Sequence, residues 1–456
     1  MKKDITILLI LIVAFFVACS PSKKKNKVRD MPQIQQSDTL VVGSIYGSSS
    51  YFVFKGEEMG FDYELIRRFA DDHGLKLKVV LVNSVPELIT LLEKHAIDVV
   101  ASRLAITNER KQQFLFTNNE YINMQVLVQR SSRNEVNDVV QLIGKEIFVN
   151  EKTKYEERLR NLNAELGGGI TITTVPDSLT VDNLIEMVSL GQIDYTVAEN
   201  DIAMLNKTYF RNLDCKLPLS FNQRSAWAVS KEAPQLQQAI NTWFDSKIKR
   251  AYYNSLYNKY FVQAKYFGDC NIKIPKNALS PYDELFRRYA ERIDWDWYLL
   301  AAVAFEESRF DTYAESWVGA RGLMQLMPRT YTSLGLNDST VVIPEPNIEA
   351  ATRYINMLNN YFADIADKNE RIKFILASYN AGHSHIFDAM ALAKKYGKNP
   401  DVWFGNVEEY LLLKSHREYY TDPVVRSGYF RGTQTSRYVV DVLRTYEKFK
   451  ERKTIN

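Results

Sequence analysis

The chain has 456 residues, 46% hydrophobic and 25% charged, which suits two or three globular domains and excludes a disordered polymer. With 58 basic against 55 acidic residues the net charge is only +3, too little for a dedicated nucleic-acid binder. Its partners must be read from motifs.

The N-terminus, "MKKDITILLILIVAFFVACS", has a short basic start and an apolar run from Ile5 to Ala18 that ends just before Cys19. That run is shorter than the ~20 helical residues needed to span a bilayer, and its flanks have the order of an export signal. Residues 20–37 are polar and Lys-rich without periodicity, as expected of a flexible tether. Only Cys215 and Cys270 remain beyond Cys19; an exported pair can join, but two cysteines make no framework. No cluster has metal-ligand spacing, so the expectation is no metal and no cofactor.

From residue 38 to about 265, short β runs alternate with amphipathic helices: "TLVVGSIYG", "MGFDYELIRRFADDHGL", "KLKVVLV", "SVPELITLLEKHA" and "IDVVAS". The rhythm restarts with "GKEIFVN" after a crossing segment near "NMQVLVQR". Two such sets predict an α/β domain of two lobes with a cleft between them. "CNIKIPKNALSP" reads as a linker, and residues 274–456 are expected to form a mainly helical domain.

In "WDWYLLAAVAFEE" a helix puts Leu300, Ala304 and Glu307 on one face and turns Glu306 about 100° away. A carboxyl ending an apolar stripe is desolvated, and its pKa rises toward the range of a general acid. Taken alone, Glu307 reads more readily as a surface glutamate at a helix end. "GARGLMQLMP" adds glycines that permit close backbone approach and Gln325, whose amide can bind sugar substituents. In "ASYNAGHSHI", Tyr379 and Asn380 precede a small-residue pair.

"ESRF" with "AES", "GARGLMQLMP", "SYNAG" and "RGTQTSRYV", in this order, resemble the soluble lytic transglycosylase catalytic domain, a lysozyme-like helical fold that cleaves peptidoglycan. The resemblance implies that Glu307 is the single acid and base. It would protonate the oxygen between N-acetylmuramic acid and N-acetylglucosamine, then deprotonate the muramoyl C6 hydroxyl to close a 1,6-anhydro ring. By the same likeness Ser308 and Ser316 help form the saccharide site and Met324 and Gln325 line the groove. Tyr379 and Asn380 would face the reacting sugar, and Tyr438 would hydrogen-bond near the glutamate. Thr312 and Gln434 depart from that family's usual proline and glutamate.

"GFDYEL" at Gly60–Leu65 and "AITNERKQQFLFTNNEY" at Ala105–Tyr121 resemble the family 3 solute-binding proteins, which capture amino acids. That implies a ligand carboxylate on Arg110, beside Thr107, and a ligand amino group on Glu199; Ala105 stands where a hydroxyl is common. "FVAC" resembles a bacterial lipoprotein box, implying a signal peptide over residues 1–19 with Cys19 lipidated. The expected architecture is a binding-protein-like domain over 38–265 and a lysozyme-like one over 274–456. The expected protein is an outer-membrane lipoprotein facing the periplasm that acts on peptidoglycan glycan strands. A small amino-acid or muropeptide ligand would regulate it, and it would have no nucleic-acid partner. Two alternatives are a sensory or transport binding lipoprotein that only grips glycan, and a lysozyme-type hydrolase using Asp311 or Glu315 as second carboxylate.

Overall fold

The computed structural model describes residues 27–262 and 278–454, apart from positions 48, 83, 119–120, 133, 177–178, 211 and 317. Cys19, Cys270 and most of the linker lie outside the described residues. Cys215 is buried at the edge of the second lobe.

The first lobe is a sheet in the order β4 (Lys76–Val82), β1 (Thr39–Ile45), β5 (Val99–Ala105), β13 (Gln223–Ser230) and β6 (Phe114–Phe116). β1, β4 and β5 run parallel, while β13 returns antiparallel beside β5 and also pairs with β7 (Tyr121–Asn123). The second lobe orders β10 (Thr171–Val175), β9 (Glu146–Asn150), β11 (Thr196–Glu199), β8 (Gln125–Arg130) and β12 (Leu213–Asp214). The chain therefore crosses between lobes at Met124, between β7 and β8. Most of the segment expected to cross is instead a buried strand of the second sheet, as its continuous apolar run demands.

Part of the segment 20–37 expected to be a tether is helical instead. Asp30 caps the helix Met31–Gln36 and accepts from the backbone of Gln235 and Leu236, while Met31 and Ile34 are buried in the first lobe. Two apolar residues three apart give this segment a face to bury, and its Lys-rich neighbours have none.

Across the interlobe cleft, Arg103 of β5 ion-pairs with Asp201 of the second lobe and lies 3.9 Å from Asp62 of the first. Its guanidinium sits 4.5 Å from the ring centre of Tyr121 and 5.1 Å from that of Phe261. Weak hydration and a flat π-face let a guanidinium occupy such an aromatic setting.

The remaining residues form a helical domain around one core. The helical spacing that runs through this region is interrupted at Asp294, which has φ +53, giving helices Asp283–Glu291 and Trp297–Ser308, the second capped by Asp296. Both lobes bear on this domain. Val318, Ala320 and Met327 join the first lobe's apolar core, whereas the second lobe offers polar contacts, Asp182 to Arg431 at 2.8 Å and Asn183 to Ser415 at 3.0 Å.

Candidate active site

The helix Trp297–Ser308 is apolar on nearly all sides, as a helix through the middle of a domain must be. It ends in two consecutive left-handed residues, Arg309 at φ +55 and Phe310 at φ +67, which turn the chain sharply after Glu307 and Ser308. Glu307 is 6% exposed and its Oε1 has no hydrogen-bond partner among the described residues. Burial raises its carboxyl above the usual range; Lys55 and the adjacent Tyr438 hydroxyl oppose that rise. Tyr438 is raised in turn, chiefly by burial and then by Glu307. Glu306 is occupied elsewhere, accepting from Thr445 Oγ1 and lying 3.2 Å from Arg309.

The loop after the helix is held by its own polar groups. Ser308 is fully buried and donates to Leu323 O at 2.7 Å, while Ser316 Oγ accepts from Ala320 N. Met324 N donates to Asn347 Oδ1, and Tyr379 OH donates to Met324 O at 2.6 Å, joining this loop to the helix Lys368–Ala381. Gln325, at φ +48, spends its amide nitrogen on Ala314 O and Gly322 O, leaving a buried Oε1 without a partner among the described residues. Asn380 Oδ1 accepts from Thr435. Ser308, Ser316 and Tyr379 thus use their hydroxyls to build the loop around Glu307. Among the described residues, the buried oxygens left without a hydrogen-bond partner here include Glu307 Oε1, Gln325 Oε1 and the Tyr438 hydroxyl.

A Cβ on Gly322, at φ +80, would lie 2.3 Å from Val341 O and 2.5 Å from Asn347 Nδ2. Gly322→Ala is therefore expected to destabilise this domain by roughly 3 kcal/mol, the sum of left-handed strain and a backbone clash, read as a lower unfolding midpoint.

A residue the sequence reading passed over sits beside the carboxylate. The hairpin β2 (Phe52–Phe54) and β3 (Glu57–Met59) of the first lobe turns through Lys55 and Gly56, both at positive φ, and reaches into the helical domain. Lys55 Nζ lies 3.5 Å from Glu307 Oε2 and 5.8 Å from the ring centre of Tyr379. Lys55 N donates to Ala381 O at 3.0 Å, and His385 Nε2 meets Val53 O at 3.0 Å. Gly382 is needed here, since its Cβ would stand 2.9 Å from Gly56 N. The signal was present as "FVFKGEEM", two short runs around a Lys-Gly turn, but nothing local says what the turn points at.

His385 belongs to a buried cluster. Lys414, fully buried, donates to His385 Nδ1 at 2.9 Å and to Asp388 Oδ2 at 2.6 Å. Burial lowers Lys414 to about 8 and, with the neighbouring ammonium, holds His385 well below its usual value. The imidazole is therefore neutral and carries its hydrogen on Nε2, toward Val53 O.

The residues expected to hold a solute stand on different lobes, Thr107 and Arg110 on the first and Glu199 on the second. Thr107 caps the short helix Asn108–Gln113 and accepts from Arg110 N; the Arg110 guanidinium donates to Ala105 O at 3.1 Å. Glu199 ends β11 and ion-pairs with Lys154. No group of three His, Cys, Asp or Glu able to hold a metal is found among the described residues, and no described helix is long and apolar enough to cross a membrane.

Residues 41–263 match the family of bacterial extracellular solute-binding proteins, family 3, and residues 284–402 the transglycosylase SLT domain. The membrane-bound lytic murein transglycosylase F of Desulfosudis oleivorans is 33% identical over 436 residues, 94% of each chain. That of Aeromonas salmonicida is 34% identical over 91% of this chain and 83% of its own. Among solved structures, a mutant of ArgBP from T. maritima superposes with a TM-score of 0.43 at 24% identity, covering 51% of this chain and 99% of that one. A two-lobed α/β domain joined to a helical domain, with both families matched in that order, makes the chain a member of the membrane-bound lytic murein transglycosylase F family.

Proposed function

We propose that this transglycosylase cleaves the β-1,4 bond between N-acetylmuramic acid and N-acetylglucosamine, with Glu307 as the only acid and base. The supporting observation is the burial of Glu307, which favours a protonated carboxyl where a leaving oxygen needs a proton. The carboxyl gives its proton to the glycosidic oxygen as the C1–O bond breaks. As carboxylate it then takes the proton of the muramoyl C6 hydroxyl, whose oxygen bonds to C1. The products are a free N-acetylglucosamine 4-hydroxyl and a 1,6-anhydro end, and water is not consumed. Glu315 is half exposed and paired with Arg321 at 3.0 Å, and Asp311 accepts from the Tyr313 N–H at 2.9 Å, which argues against either as the second carboxylate of a hydrolase. Met324, Gln325, Asn380 and Tyr438 line the saccharide site in this reading; Ser308, Ser316 and Tyr379 shape it.

The chain is anchored through a lipidated Cys19 at the outer membrane, facing the periplasm, in keeping with the lipoprotein-like leader and the Lys-rich stretch after it. In the state described the hairpin fills the site, so turnover requires its withdrawal. An amino-acid or muropeptide ligand held between Arg110 and Glu199 supplies the switch: the hairpin springs from the first lobe, Arg431 grips the second, and a change in lobe separation loads both contacts.

Mass spectrometry of products from purified peptidoglycan tests the chemistry. Anhydro-muropeptides from the unmodified chain are expected, and reducing ends would establish hydrolysis instead. Ligand control is tested by thermal shift and turnover with an amino-acid and muropeptide panel. A ligand at a hundred times its Kd raises stability by roughly 2.7 kcal/mol. A panel without any such shift, or a ligand that shifts melting and leaves turnover unchanged, would remove the regulatory part.

A further inference from the structure

The hairpin shows what the catalytic groove offers to a guest. Phe54 pairs with Glu57 across a two-residue turn, which makes theirs the hydrogen-bonded pair and points the Val53 carbonyl and the Lys55 N–H toward the opposite edge. That free edge lies against the elbow between the helices Lys368–Ala381 and His383–Lys395. There the Lys55 N–H meets Ala381 O, and Val53 O meets His385 Nε2. Ala381 O belongs to the last turn of its helix, where carbonyls lack intrahelical partners. Gly382 keeps the elbow open to a backbone. The elbow thus presents one acceptor and one donor, side by side, in the pattern that residues i and i+2 of an extended peptide require.

We infer that this elbow is a peptide-recognition subsite, occupied by the hairpin backbone at rest and by a stem peptide of the peptidoglycan strand during turnover. A single acetamido group fits it poorly, because the N–H and C=O of one trans amide point in opposite directions, whereas the elbow's two groups address one edge. His385 recognises through its Nε2–H, and Lys414 is a positioning residue that fixes this tautomer by donating to Nδ1 while Asp388 holds its ammonium. When the hairpin leaves, the His385 Nε2–H and Ala381 O lose these partners together, and an extended backbone can replace both at once.

This inference builds on the transglycosylase reading, and the test separates the two. Turnover of intact peptidoglycan strands is compared with turnover of strands stripped of stem peptides by an amidase, using the full chain and its His385→Phe variant. The unmodified chain is expected to favour peptide-bearing strands by about fivefold in kcat/KM, the usual worth of one hydrogen bond. In His385→Phe the ratio of the two kcat/KM values should fall to about one, and His385→Gln, which keeps a donor, should restore part of it. Hairpin release alone would raise both rates and leave their ratio alone. Equal ratios in variant and unmodified chain, or no preference in the unmodified chain, would overturn the subsite. No turnover of either substrate would strike the transglycosylase reading itself and carry this one with it. If His385→Phe fails to fold, Gly382→Ala narrows the same edge without touching Lys414 and should lower the same ratio.

Discussion

Glu307→Gln is expected to lower turnover by at least about a thousandfold, the scale of a lost general acid that also serves as base, with melting within a few degrees of the unmodified chain. Gln has nearly the same shape but can neither give nor take the proton, so kcat should collapse while KM for glycan strands stays close to its original value. Glu306→Gln should keep most of the activity, since Glu306 is already held by Thr445 and Arg309 away from the free carboxyl oxygen. Activity of Glu307→Gln above about a tenth of the original would mean that another group moves the proton. The pH dependence follows in sign. Burial raises the Glu307 carboxyl, and the reaction begins from its protonated form, so the rate should decline as pH rises through that raised value.

Lys55→Ala is expected to increase basal turnover by roughly tenfold or more, because a hydrogen-bonded charge pair of about 1.5 kcal/mol is lost from the seated hairpin. The substitution also removes the strongest influence holding the Glu307 carboxyl down. The high-pH decline should therefore move to higher pH, because a carboxyl without its cation stays protonated longer. Both readouts come from one pH–rate profile of the full chain. An unchanged profile would show that the hairpin is no barrier to substrate; a higher rate with an unmoved limb would show that Lys55 seats the hairpin without addressing Glu307.

Periodicity and motif order made both domain types legible, since a lobe's strands and a domain's core helix carry their pattern within a dozen residues. Glu307 became legible only when its place on the helix was joined to the motifs that follow it, since the helix alone also allows a surface glutamate. What could not be read was everything set by meetings between distant segments. Lys55 and Glu307 stand 252 residues apart in numbering, and the pair exists only because a lobe rests on the helical domain. Arg103 reads as an ordinary strand residue until Asp201 of the other lobe is brought to it. Ser308 and Ser316 carry hydroxyls of the right type for sugar, but whether a hydroxyl faces a groove or a neighbouring carbonyl depends on loop geometry that composition does not encode. The break at Asp294 needs a left-handed residue other than glycine, which spacing alone does not forecast.

Because the hairpin belongs to the same polypeptide as the carboxylate it covers, its hold on the site does not weaken on dilution. A tethered occupant acts at an effective concentration of the order of millimolar, set by the fold rather than by how many copies a cell contains. A single molecule on a membrane is then as well restrained as a concentrated solution of it. The synthetic hairpin sequence added from outside would need similar millimolar amounts to restrain a chain whose own hairpin had been cut away.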